Sequence, residues 1–185
     1  MATQLSLQTF IPFYFINILH RDPMVAGKYL SIFLLGGTLG ILGGGVLADR
    51  YGYKRITLIT LGLTSLFLYL FYMTEGPLSL ILFTVAGALL ISSNSITMAM
   101  GQSFMPRNLG MASGLILGFA MGIGGITTTI LGWVADNWGI PVTLLIIFGL
   151  PILAFLSCWP IPYPPPEEVV PANPSPGAPK PPALN

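Results

Sequence analysis

The residues of this chain that could do chemistry are few, and their placement says more than their number. Formal charge is confined to Arg21, Asp22, Lys28, Asp49, Arg50, Lys54, Arg55, Glu75, Arg107, Asp136, Glu167, Glu168 and Lys180. His20 and Cys158 are each the only residue of their kind. No cluster of ligands at metal spacing and no nucleophile–base–acid set can be drawn from these, so the sequence reads as a non-enzyme needing no cofactor and no metal. A lone cysteine cannot close an internal disulfide, and Cys158 reads as a lipid-facing or packing residue. A lone histidine at a helix end reads as an interfacial side chain.

What is left for recognition is hydrogen bonding from uncharged groups within apolar surroundings. These are Gln8 and Asn17, then Ser92, Ser93, Asn94 and Thr97, then Thr127, Thr128 and Thr129. An amide both donates and accepts, which makes Gln8 and Asn94 the foremost candidates for contact with a polar solute. Asn17 and Thr97 complete the expected solute cavity. Helix-to-helix hydrogen bonds are the competing use of the same groups.

The elements that must carry these residues follow from the gaps between charges. Residues 1–19, 29–48, 56–74, 76–106, 108–135 and 137–166 are free of Asp, Glu, Lys and Arg. A bilayer core requires about 20 apolar residues of helix, and all but the first run are long enough. Only 7% of the chain is charged while 54% is hydrophobic, which cannot cover a water-soluble surface. We therefore expect an all-α polytopic membrane protein whose six-helix bundle fills residues 1–159, with spans near 5–19, 26–48, 56–73, 78–102, 109–135 and 140–159. The lipid bilayer is the first partner implied. A net charge of +1 argues against a nucleic-acid partner.

Arg50, Lys54, Arg55 and Arg107 all fall in the second and fourth connections. Basic residues near span ends stay on the cytoplasmic side. Both termini are then expected inside, in a multi-pass protein of the cytoplasmic (inner) membrane. Residues 160–185 hold 11 of the 17 prolines and read as a disordered cytoplasmic tail. The first apolar run begins at Met1 with Gln4 and Gln8 already inside it, as if a longer protein preceded it.

The sharpest pattern is GVLADRYGYKR over 45–55, where Gly45, Asp49, Arg50, Gly52, Lys54 and Arg55 close one span and open the next. Gly52 permits a tight reversal. Asp49 can accept from a neighbouring helix N-terminus or pair with an arginine, and the basic residues hold the loop inside. A second copy, GWVADNWG over 132–139, repeats it at Gly132, Asp136 and Gly139 without the basic residues. Three crossings separate the copies, so they fall on opposite membrane faces, as an inverted repeat of three plus three helices requires.

The first copy resembles the loop signature of the major facilitator superfamily, with Tyr53 in place of its first basic residue. The segment FMPRNLGMASGLILGFA over 104–120, running on to Gly125 and Asp136, is similar to the fosmidomycin-resistance branch of that superfamily. The resemblance implies one half of a major facilitator fold, the C-terminal six helices of a twelve-helix efflux transporter for a drug or small organic solute. It also implies proton-coupled antiport. The partner would be an N-terminal six-helix half or a second copy of the chain, and the alternative is a truncated or non-transporting subunit that associates with a partner bundle. No charge stands mid-span, so a coupling carboxylate would have to lie in the other half.

Two glycine series are spaced by four: Gly36, Gly40 and Gly44 in the second span, and Gly110, Gly114, Gly118 and Gly122 in the fifth. Smooth stripes of this kind let another helix approach closely, either statically within the bundle or as a gating contact with a partner. The resemblance favours the partner, since the equivalent helices line the seam between halves. Pro12 and Pro151 lie within spans and should bend them.

Overall fold

The computed structural model describes residues 1–74, 76–103 and 108–159, which are almost wholly helical. In chain order the elements are α1 (Ala2–Phe13), a π-helical turn (Tyr14–Ile18), α2 (Pro23–Tyr51), α3 (Tyr53–Met73), α4 (Pro77–Ser103), α5 (Leu109–Trp138) and α6 (Ile140–Cys158). No strand occurs among the described residues. The Pro-rich segment 160–185 and Arg107 lie outside them.

The boundaries have local causes. Pro23 and Pro77 stand at the first position of α2 and α4, where the missing N–H has no helical partner to lose. Gly52 ends α2 and caps α3, and Gly139 does the same between α5 and α6, with φ of +92° and +86°. A side chain is strained at such φ, so glycine is what allows adjoining helices to be joined by a single residue. Helices α2 to α6 are each long and apolar enough to cross a membrane.

The first element differs from its expectation. Pro12 lies inside α1, and just beyond it the ladder widens to the π-helical turn, with the Leu19 N–H donating to the Tyr14 carbonyl at 3.1 Å. A simple bend was the expectation at Pro12; the helix instead accommodates the ring and then loosens. The whole element is shorter than the other five.

Helix α2 lies along α4 over much of its length, α3 packs on α4 and α6, and α1 packs on α5 and α6, with lesser contacts for α2 with α3, α5 with α6, α4 with α5 and α1 with α2. The main core joins Leu7, Phe33, Leu68, Phe83, Leu144 and Phe148, all with at most 1% of their surface exposed. Large apolar side chains also point outward, among them Leu35, Leu39, Leu42, Phe119, Ile126 and Leu153, each at least 61% exposed. An outside so apolar is stable only against lipid or another helix bundle.

Candidate functional site

Asn94, halfway through α4 and beyond, is the polar centre of the bundle. Its Nδ2 donates to Gln4 Oε1 at 2.8 Å and its Oδ1 accepts from the Met1 amino group at 3.0 Å. One amide proton remains uncommitted by this pairing. Beside it opens a cavity of about 360 Å3 between the ends of α3, α4, α5 and α6. Ser93, Asn94, Thr97, Ser157 and Cys158 give it polar atoms, while Leu61, Leu90, Ile116 and Pro151 give it apolar walls.

Of the four residues expected to form a solute cavity, Asn94 and Thr97 line this one, and Gln8 and Asn17 do not. Gln8 is half-buried on α1, and Asn17 is exposed within the π-helical turn. The Thr97 hydroxyl donates to the Ser93 carbonyl at 2.8 Å, which leaves its oxygen able to accept from a bound group. Cys158 is half-buried at the rim. Pro151 is buried inside α6 and forms part of the wall.

Thr57 is the residue that sequence reasoning passed over. It is 1% exposed, and its Oγ1 has no hydrogen-bond partner. Leaving a buried hydroxyl unmatched costs about 1–3 kcal/mol, and the residue stands in the cavity wall with that hydroxyl closed off. Its place in the first turns of α3, two residues after Arg55, gives no sign in the sequence of this burial. Gln4 was likewise visible only as a polar residue within the first run. Ser92 carries the other orphaned buried hydroxyl, where α4 meets Gly44. The three consecutive threonines of α5 mostly turn inward on their own helix: Thr127, Thr128 and Thr129 each donate to the carbonyl four residues back, and Thr128 Oγ1 also lies 3.2 Å from Ser6 Oγ on α1.

The loop signature sits at the same end of the bundle. Asp49 accepts from the Tyr53 hydroxyl at 2.7 Å across the Gly52 turn. The Arg50 guanidinium rests over the Tyr51 ring, 5.9 Å from its centroid. Lys54 Nζ donates to the Trp159 carbonyl at 3.0 Å, tying the start of α3 to the end of α6, and Arg55 edges an apolar groove with Phe155 and Trp159. Gly45 lies in α2 with open space around it. In the second copy Gly132 is equally open, Asp136 is exposed, and the adjacent Asn137 amide donates to the Trp133 carbonyl at 2.8 Å.

The two glycine series are used differently. A Cβ on Gly36 would lie 2.6 Å from the Thr84 carbonyl, and at Gly40 and Gly44 it would run into the Ala88 backbone and the Ser92 hydroxyl. Gly87 meets this face from α4, where a Cβ would lie 2.6 Å from the Phe33 carbonyl. The α2 series is therefore filled by α4. Around Gly110, Gly114, Gly118 and Gly122 there is nothing within 4 Å, and the α5 series faces away from the bundle.

Comparison with known proteins fits this picture. A family model described as Major Facilitator Superfamily matches residues 1–184. The chain is 35% identical over 153 residues to an uncharacterized MFS-type transporter, YfnC, of Bacillus subtilis, a match covering 82% of this chain and 37% of that protein. It is 31% identical over 156 residues to the fosmidomycin resistance protein of Escherichia coli, again over 82% of this chain and 37% of the relative. A probable nitrate/nitrite antiporter, NarK1, of Thermus thermophilus is 26% identical over 175 residues, or 39% of its length. The chain thus spans well under half the length of the curated relatives it matches. No solved structure gives a significant match.

Proposed function

The chain belongs to the Major Facilitator Superfamily, and we propose that it is the C-terminal six-helix half of an exporter that moves a small organic solute across the cytoplasmic membrane by alternating access. The observation that carries this reading is the cavity at Asn94. It places the Asn94 amide and the Thr97 hydroxyl beside a space of about 360 Å3, with the Met1 amino group in its wall and no charged side chain among its described lining residues. Such a site suits a neutral or weakly polar part of a solute, held by hydrogen bonds that are strong because water is scarce.

Packing supports the inverted repeat. Exchanging α1 with α4, α2 with α5 and α3 with α6 turns each helix contact into another that exists: α2 with α4 becomes α5 with α1, and α3 with α4 becomes α6 with α1. On this reading α1 is the sixth crossing, and the basic loop 49–55 and both termini are cytoplasmic. The open glycine face of α5 is where a partner bundle would dock, an N-terminal half or a second copy. The same face suits the alternative, a subunit that binds another bundle without transporting.

Similarity to the fosmidomycin resistance protein makes fosmidomycin the solute to test first. Proton exchange would need an ionisable group outside this chain's spans, because none lies mid-span here. Expressed together with a matching N-terminal half, the chain should lower fosmidomycin accumulation in a sensitive cell, and Asn94→Ala should abolish that effect at unchanged membrane abundance. Unchanged accumulation with both halves present would overturn the exporter reading and leave the docking subunit.

A further inference from the structure

At the end of the bundle opposite Asp49, the start of α2 and the ends of α1 and α3 enclose a second cavity, of about 590 Å3. Its walls are the rings of Tyr14, Phe15, Tyr29, Phe71 and Tyr72, and Arg21 lies at its mouth. The π-helical turn builds this wall, because the widened register carries Tyr14 and Phe15 on consecutive positions into contact with Tyr72 and Tyr29, at centroid distances of 6.1 and 4.4 Å. Such turns are enriched at functional sites.

Arg21 is held in place by its backbone. Its N–H donates to the Phe15 carbonyl at 3.0 Å, and the preceding residue, His20, takes φ of +47°, which a side chain adopts at a cost. The guanidinium forms no ion pair among the described residues. The polar atoms deeper in the wall are already oriented: Ser79 Oγ donates to the Gly76 carbonyl at 2.7 Å, so the Tyr29 hydroxyl, 2.9 Å away, donates to Ser79. The rings offer faces, and among the described lining residues Arg21 alone carries a full charge.

We propose that this cavity is a binding site for an organic anion with a flat or apolar body, its anionic group on Arg21 and its body between Tyr14, Tyr29 and Tyr72. A free guanidinium matches a carboxylate or phosphate fork, and aromatic walls accept an apolar body at little entropic cost. The ligand is a soluble organic acid or the head of an anionic membrane amphiphile, which share this chemistry. The site is separate from the Asn94 cavity and does not depend on the transport reading.

The test is equilibrium dialysis of 2-naphthoate against the full chain in phosphatidylcholine nanodiscs, with empty nanodiscs subtracted. Binding should weaken about tenfold or more in Arg21→Gln, weaken less in Arg21→Lys, which keeps the charge but not the fork, and be weaker for the uncharged 2-naphthamide. Replacing a third of the lipid with phosphatidylglycerol separates the sources: competition assigns the site to membrane amphiphiles, and its absence to soluble acids. Equal binding by wild type and Arg21→Gln, or equal binding of 2-naphthoate and 2-naphthamide, would overturn the proposal.

Discussion

Gly52 and Gly139 stand 87 positions apart and make the same joint: each ends one long helix and caps the next, with its N–H donating at 2.9 Å to Ala48 in one case and Ala135 in the other. Backbone conformation repeats along with the sequence pattern. The side chains around the joint do not, since Asp49 has the Tyr53 hydroxyl across the turn while Asp136 has Ile140 at the corresponding position. The shared part is what a tight antiparallel connection needs, and the differing part is what distinguishes one face of the bundle from the other.

If the positive φ is what each joint requires, Gly52→Ala and Gly139→Ala should each destabilise the chain by about 1–3 kcal/mol. Gly45→Ala, inside α2 with open space around it, should be neutral or slightly stabilising. Unfolding by denaturant in detergent, followed by helical circular dichroism, compares the three.

The glycine series predict a contrast. Gly40→Leu forces a side chain into the Ala88 backbone and should cost about 1–3 kcal/mol or more of the chain's own stability, as overpacking does. Gly114→Leu enters open space and should leave that stability unchanged while weakening co-purification with a matching N-terminal half. Equal behaviour of the two variants in both assays would contradict the division of labour between α2 and α5.

Much of this architecture was legible in the sequence, and the part that was not has a physical reason. Spans α2 to α6 were readable because exclusion of charge from lipid is a one-dimensional constraint, written along the chain. The glycine spacing announced close approach on both α2 and α5, but a stripe carries no record of which neighbour fills it. Gly36, Gly40 and Gly44 are taken by α4, whereas Gly110 to Gly122 are open, and only packing tells them apart. For the cavity, Asn94 and Thr97 were visible as polar residues inside an apolar run. Thr57 was not, because its burial depends on how α3 leans on α4 and α6 rather than on its sequence neighbours. The widening after Pro12 was also hidden, since proline marks a broken ladder without saying how it is repaired.

Thr57 offers a way to separate stability from binding. Thr57→Val keeps the shape and removes the unmatched hydroxyl, so stability should hold or rise by up to about 1–3 kcal/mol. Solute transport by the assembled protein should stay near wild type, because the hydroxyl is closed off from the cavity. A variant that loses stability would mean that the hydroxyl is satisfied within the fold.

Asp49→Asn retains an oxygen for the Tyr53 hydroxyl and removes only the charge. Its unfolding free energy should stay within about 0.5 kcal/mol of wild type, the usual range for exposed positions. Tyr53→Phe, which deletes the donor, should cost about 0.5–1.5 kcal/mol. Thermal denaturation of both variants in the same detergent decides the point.

If the inverted repeat holds, the Gly52 and Gly139 joints lie on opposite membrane faces. Placing single cysteines at Asp49 and Asp136 in a Cys158→Ala background, and labelling intact cells with a membrane-impermeant maleimide, measures this directly. Labelling at position 136 in intact cells, with position 49 reached only after the membrane is opened, is the predicted result; labelling of both positions from the same side would contradict it.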